Sequence, residues 1–225
     1  MPEGCLLYYI TDRAQFPGDE TARRRALLSK IAEAASCGIN YIQLREKDLT
    51  TCELEALARD AVSAIRETRT TGDERPTTCL LINSRTDVAL AADADGVHLR
   101  ADDVSPHEVR RVVDLAGCRP SNADRFRIAV SCHTQPDVMQ AESEGADFAV
   151  FAPVFEKRDR PKARPTGLDM LREACRATIP VLALGGVTLE NAASCLNAGV
   201  AGIAGIRLFQ ENRIEEVVRA LRAGR

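Results

Sequence analysis

No two of the eight cysteines stand in a C-x-x-C pair. Cys5, Cys37, Cys52, Cys79, Cys118, Cys132, Cys175 and Cys195 are spread almost evenly, four of them directly beside Ala or Leu. That spacing argues against a zinc or disulfide framework and for small buried thiols, since free cysteine packs as a small hydrophobe. No Lys/Arg block marks a membrane patch, and a net charge of -3 gives no reason to expect nucleic acid. No apolar run approaches the length of a membrane span. The N-terminus lacks a basic region followed by a long apolar stretch, so no signal peptide is expected and the cytoplasm is the default. No linker interrupts the chain.

What is present is ordinary in bulk and regular in order. The 225 residues are 45% hydrophobic and 28% charged, enough for one large domain or two small ones. Strand-like and helix-like segments alternate from end to end. Strands are expected at Leu6 to Thr11, Tyr41 to Leu44, Cys79 to Asn83, Gly96 to Leu99, Arg127 to Ser131, Asp147 to Ala152, Val181 to Leu184 and Gly202 to Ile206. Helices are expected at Glu20 to Ser36, Thr51 to Thr68 (with Thr51 as its cap), Thr86 to Ala92 and from Ser105-Pro106 to Ala116. Four more follow at Gln135 to Glu144, Gly167 to Ala177, Leu189 to Ala198 and Ile214 to Ala223. Short apolar strands buried on both faces argue for a parallel sheet. Eight β-α units are the count that closes a (β/α)8 TIM barrel, so residues 1–225 read as one α/β barrel domain. An open doubly wound sheet would show a glycine-rich first turn, and none follows the first strand. Polar loops at Arg69 to Pro76 and Arg119 to Arg125 enter strands three and five, at the non-catalytic end. The loop Arg158 to Thr166 follows strand six on the opposite face, and its Lys, Arg and Pro content makes it a candidate lid.

In a barrel the chemistry gathers at the C-terminal ends of the strands. Strand two ends in Gln43-Leu44-Arg45-Glu46-Lys47-Asp48. Alternation along an extended chain sends Gln43, Arg45 and Lys47 to one side, where a carboxamide, a guanidinium and an ammonium suit phosphate oxygens. The other reading is a solvated charged turn. Strand three ends in Asn83-Ser84-Arg85, strand four in His98 and the pair Asp102-Asp103, and strand five in Ser131-Cys132-His133-Thr134. Strand six leads into Lys157, Arg158, Asp159 and Arg160, strand seven into Gly185-Gly186-Val187-Thr188, and strand eight into Gly205-Ile206-Arg207. A Gly-Gly turn after strand seven is either a tight turn or a place where backbone N–H groups approach a phosphate, with the next helix offering its N-terminus. Two cationic loops and one acidic turn point to phosphorylated ligands and a divalent cation. Asp103 is then either a metal ligand or a cap of the next helix. His133 is either a general acid-base or a hydrogen-bonded turn histidine. His98 reads as structural, and His107 as exposed on a helix.

Several strings together resemble the thiamine-phosphate synthases and the TenI-type thiazole tautomerases of the same superfamily. They are Tyr8-Tyr9-Ile10-Thr11-Asp12-Arg13, Gln43 to Asp48, Ile82-Asn83 with Asp87-Val88-Ala89-Leu90, and Ala94-Asp95-Gly96-Val97-His98-Leu99. Val130-Ser131-Cys132-His133-Thr134, Gly145-Ala146-Asp147, Pro153-Val154-Phe155 and Gly185-Gly186-Val187-Thr188 complete the set, in order from about residue 7 to residue 207. The resemblance implies a transferase that joins hydroxymethylpyrimidine diphosphate to thiazole phosphate and releases pyrophosphate. It implies that Gln43, Arg45 and Lys47 hold the diphosphate, with Asn83 and Ser131 nearby. It makes Asp103 a Mg2+ ligand, and Mg2+ the expected cofactor. Arg45, Lys47, Ser131 and His133 are the catalytic positions, and Gly167, Gly185, Gly186, Ile206 and Arg207 are substrate-binding. Three departures stand out. Ser84 occupies the place of a second metal-binding Asp. Lys157 to Arg160 replace Thr-x-Thr-Lys, with Arg160 in the place of the lysine that faces the diphosphate. Arg207 replaces a small Ser after Ile206, where it either binds the thiazole phosphate or blocks it. The synthase reading leads, on the complete Gln43, Arg45, Lys47 set. The alternatives are a metal-independent tautomerase working through His133 and a non-catalytic module that binds phosphate ligands. Partners are small molecules, without nucleic acid or membrane, and a homo-oligomer remains open.

Overall fold

The structure is a computed structural model that describes residues 4–68, 78–117, 125–156 and 165–223. Eight parallel strands close into a barrel in sequence order: β1 (Leu6–Ile10), β2 (Tyr41–Leu44), β3 (Cys79–Asn83), β4 (Gly96–Leu99), β5 (Arg127–Cys132), β6 (Phe148–Phe151), β7 (Val181–Ala183) and β8 (Gly202–Gly205). The ring shuts where β8 pairs with β1, Leu6 opposite Gly202 and Tyr9 opposite Gly205. Outside it lie α1 (Glu20–Ser36), α2 (Thr51–Glu67), α3 (Thr86–Ala91), α4 (Pro106–Ala116), α5 (Gln135–Ser143), α6 (Gly167–Ala174), α7 (Ala192–Asn197), α8 (Arg207–Gln210) and α9 (Ile214–Ala223). No helix among the described residues is long and apolar enough to cross a membrane.

Alternation in the strands sorts side chains between two cores. Leu7, Tyr9, Ile42, Leu80 and Ile82 face outward and pack with helix residues such as Leu27, Ile31 and Leu57. Leu6, Tyr8, Ile10, Leu81, Phe148 and Val150 fill the barrel interior. Aromatics are scarce in this chain, yet three of them meet inside the ring. Tyr8 stands edge-on to Phe148 at 5.6 Å and to Tyr41 at 5.9 Å, and Tyr41 lies 4.6 Å from Phe148. At the end away from the mouth, Asp147 gathers Arg110, Arg125 and Arg127.

Several details differ from the sequence expectation. The cap of α2 is Thr50, whose side chain accepts the Glu53 N–H while Glu53 reaches back to the Thr50 N–H. Helix α7 starts three residues later than expected. Thr188 N–H donates to Asn191 Oδ1 and Asn191 Nδ2 donates to Gly186 O, so a closed turn uses up the segment before it. Helix α6 ends at Ala174. The short helix α8 starts at Arg207, which was expected to follow directly on a strand. No cysteine among the described residues is in a disulfide. Cys5, Cys79, Cys132 and Cys195 are buried and Cys37 and Cys175 half-buried, but Cys52 is exposed on α2, contrary to a uniformly buried set. Cys118, both polar loops entering β3 and β5 (apart from Arg125), and most of the expected lid lie outside the described residues.

Candidate active site

The ends of β2, β3, β4 and β5 bring the polar side chains to one mouth. Gln43 is the last inward-facing residue of β2 and is 2% exposed. Its Nε2 donates to Asn83 Oδ1 at 3.1 Å, and Asn83 Nδ2 donates to Ser84 Oγ at 3.1 Å. Ser84 takes a left-handed backbone, φ 60°, and its N–H donates to the His98 carbonyl at 2.8 Å, which ties the end of β3 to β4. His98 lies inside the ring, within hydrogen-bond reach of Tyr8 on one side and of Ser131 on the other. Burial, with the Arg45 charge adding to it, lowers its pKa to about 3, so it is a neutral imidazole.

The expected alternation holds for Gln43 and stops there. β2 ends at Leu44, and Lys47 lies in an exposed turn beyond it, so the strand period cannot aim its side chain. The two acids of the same string serve a different purpose. Glu46 is 6% exposed and turns back toward β1. It accepts from Thr11 Oγ1, from the Arg13 backbone N–H at 3.0 Å and from Arg13 Nη1 at 3.1 Å. Arg13 also forks onto Asp48 at 2.7 and 2.9 Å and reaches Glu20 at 2.9 Å. Burial pushes the Glu46 carboxyl up, opposed by the bonds from Thr11 and Arg13. The Arg13 bonds hold Asp48 below the usual range. Thr11 Oγ1 also accepts the Arg45 N–H at 3.0 Å. The loop that carries Arg45 and Lys47 is thereby clamped to the end of β1 by Thr11 and Arg13.

Asp103 is half-buried. Its Oδ2 accepts the Arg100 N–H at 2.7 Å, closing its own turn. It does not cap α4. Ser105 does, in a reciprocal box with Glu108. No group of three or more His, Cys, Asp or Glu side chains among the described residues is arranged to hold a metal. A single carboxylate, with a serine hydroxyl on the neighbouring strand end, is not a metal cage. It does fit Mg2+ carried largely by phosphate oxygens, since this ion keeps its waters and takes one or two carboxylates. Ser131 and Asp103 both line a cavity of about 130 Å³. The larger hollow of about 490 Å³, between the start of α5 and α6, is lined by neither.

His133 is exposed at the start of the β5–α5 connection. Its Nδ1 lies 2.6 Å from the Ala152 carbonyl, so Nδ1 carries the proton and Nε2 is the basic nitrogen. It is a hydrogen-bonded turn histidine whose other nitrogen can still take a proton. At the end of β7, Gly185 and Gly186 have φ 94° and 67°. A Cβ on Gly186 would lie 2.5 Å from the Glu156 carbonyl, so the close approach of two backbones requires glycine there. Gly167 opens α6 at φ 76°, its N–H donating to Val154 O at 3.2 Å. Ile206 caps α8 and Arg207, half-buried, is its first residue. A short extra helix after the eighth strand, beside the seventh-strand loop, is the arrangement in which barrels of this class build a phosphate site. Lys157 and Arg160 lie outside the described residues.

The class so defined is a single (β/α)8 barrel with its polar side chains gathered at the C-terminal mouth. Within it, residues 7–209 match the family model described as thiamine monophosphate synthase. The chain is 37% identical over 206 residues to the putative thiamine-phosphate synthase 2 of Aquifex aeolicus, covering 91% of this chain and 97% of that one. It is 36% identical over 201 residues to the thiamine-phosphate synthase of Roseiflexus castenholzii, covering 88% and 78%. The solved thiamine phosphate pyrophosphorylase from Pyrococcus furiosus superposes with a TM-score of 0.75 at 29% identity, covering 97% and 94%. The chain belongs to the thiamine monophosphate synthase family.

Proposed function

We propose that the protein is a thiamine-phosphate synthase, a transferase that joins hydroxymethylpyrimidine diphosphate to thiazole phosphate with release of pyrophosphate. The observation that carries the reading is the intact β2 end, with Gln43 hydrogen-bonded to Asn83 and the Arg45 backbone N–H held by Thr11 at the end of β1. The reaction breaks the bond between the pyrimidine methylene carbon and the diphosphate oxygen. It forms a bond from that carbon to the thiazole nitrogen. The aminopyrimidine stabilises a benzylic-like cation, so departure can precede attack and no protein nucleophile is needed.

The difficulty is charge on the leaving pyrophosphate. Arg45 and Lys47 neutralise it as it develops, a stabilisation worth most where water is excluded. Asp103 would hold Mg2+ carried by the diphosphate, and a bound ion would supply further stabilisation of the same developing charge. Ser84 is a weak neutral ligand, so the metal affinity belongs mainly to the loaded complex. Gln43 and Asn83 orient one another through the hydrogen bond between their carboxamides and present their remaining groups to the pyrimidine. Arg207 with the Gly185-Gly186 turn receives the thiazole phosphate.

A second reading has one observation in its favour. The Nδ1–H of His133 is committed to Ala152, which leaves Nε2 as a base suited to moving a proton between ring positions, as an isomerase would. Two substitutions separate the readings. His133→Asn should keep more product formation than Asp103→Asn with both precursors at the same Mg2+ concentration. The reverse order, with isomerisation surviving chelation and dying with His133, would establish the tautomerase.

A further inference from the structure

The imidazole of His98 links two hydroxyls of very different exposure. Tyr8 is fully buried inside the ring, and its Oη lies 2.9 Å from His98 Nδ1. Ser131, half-buried at the end of β5, has its Oγ 2.8 Å from His98 Nε2. Distances alone do not say which way these bonds run, because a neutral imidazole has one donor and one acceptor nitrogen. The hydrogen balance decides it. Among the described residues, Tyr8 Oη has no hydrogen-bond partner except His98. If Nδ1 carried the proton, the buried phenol hydrogen would have no acceptor. Leaving such a donor unpaired costs about 1–3 kcal/mol. A doubly protonated ring would orphan it in the same way and add a buried charge.

We propose that Tyr8 and His98 are positioning residues that make Ser131 a one-way hydrogen-bond donor to the ligand. The Tyr8 O–H donates to Nδ1 and so fixes His98 as the Nε2–H tautomer. That N–H donates to Ser131 Oγ and occupies one of its lone pairs. The Ser131 hydrogen then points away from His98, toward the mouth, where it meets an acceptor atom: a diphosphate oxygen or a pyrimidine ring nitrogen. A freely rotating serine would offer donor or acceptor indifferently. Here the tyrosine in the barrel core sets its polarity from two residues away. The proposal rests on the synthase reading only for the identity of the acceptor. The tautomer itself follows from the ligand-free protein.

The test has a spectroscopic arm and a kinetic arm. The chain has three histidines, so a long-range proton–nitrogen NMR spectrum of 15N-labelled protein can report each tautomer, with the His98 signals assigned by their loss in His98→Gln. At neutral pH and without ligand, His98 should carry its proton on Nε2, and Tyr8→Phe should move the unprotonated Nδ1 resonance downfield as that nitrogen loses its donor. A wild-type His98 protonated on Nδ1, or an Nδ1 resonance that Tyr8→Phe leaves in place, would overturn the proposal. With both precursors, His98→Gln places an amide N–H where Nε2–H was, whereas His98→Asn offers a group only on the Tyr8 side. The glutamine variant should retain about tenfold more kcat than the asparagine variant, the size of one lost donor of this kind. Equal values, or the reverse order, would overturn it. If the wild-type protein makes no product, the synthase reading fails while the tautomer measurement still stands on its own.

Discussion

Glu46 and Lys47 are neighbours in sequence with different surroundings. The carboxylate is buried against Arg13 and Thr11, and the ammonium is exposed in the turn beyond β2. Period-two reasoning places Gln43, because it lies within a strand. It could not single out Glu46 as the buried, structural member of the string, because the strand ends at Leu44 and the clamp partner, Arg13, is 33 residues away in sequence. If Lys47 neutralises the leaving diphosphate, Lys47→Ala should lower kcat about 10²-fold or more, as loss of a transition-state charge partner does. Steady-state rates at saturating precursors measure it, and an unchanged kcat would reduce Lys47 to a solvated turn residue.

Asp95 gives a residue-scale prediction outside the site. Its Oδ2 accepts the Leu80 N–H at 2.8 Å, its Oδ1 is buried without a hydrogen-bond partner among the described residues, and burial raises its pKa to about 6. A carboxyl raised on folding contributes most when protonated, below its unfolded pKa of about 3.9. That contribution is lost as pH rises through about 6. Asp95→Asn removes the titration. Urea midpoints at acidic and neutral pH should therefore show wild type losing ground to the variant as pH rises, and a pH-independent difference would contradict the assignment.

At the scale of elements, most helices and strands were legible because their apolar periods are clean and their caps explicit. The exceptions have local causes. Thr50 and Thr51 both look like caps of α2, but only Thr50 has a glutamate three residues on to complete the reciprocal box. Thr50→Ala should therefore destabilise the protein by about 1 kcal/mol and Thr51→Ala by distinctly less, as read from chemical denaturation. Equal losses would mean that the box is not what starts this helix. Helix α8 was illegible because four residues are too few to show a helical period. Yet Gln210 holds the base of the mouth. It accepts from Tyr9 Oη at 2.9 Å and donates to the Asp12 carbonyl at 2.8 Å, tying the chain after β8 to the end of β1. No short-range pattern announces a contact across 198 residues.

For the whole molecule, eight short apolar strands separated by amphipathic helices left little choice of architecture, and the ring closes in sequence order. The same regularity told where a site must be, at the strand ends, but not which polar side chains act together. The Tyr8–His98–Ser131 chain crosses from β1 through β4 to β5, and His98 alone reads as one more strand residue. The departures at Ser84 and Arg207 leave the fold untouched. The central claim, that this mouth couples a pyrimidine diphosphate to a thiazole phosphate, is tested most directly by incubating the purified protein with both precursors, with and without Mg2+, and reading the product by fluorescence after oxidation. Thiamine phosphate should form in the presence of Mg2+ and fall to background in a chelator. Absence of product under every metal condition would contradict it.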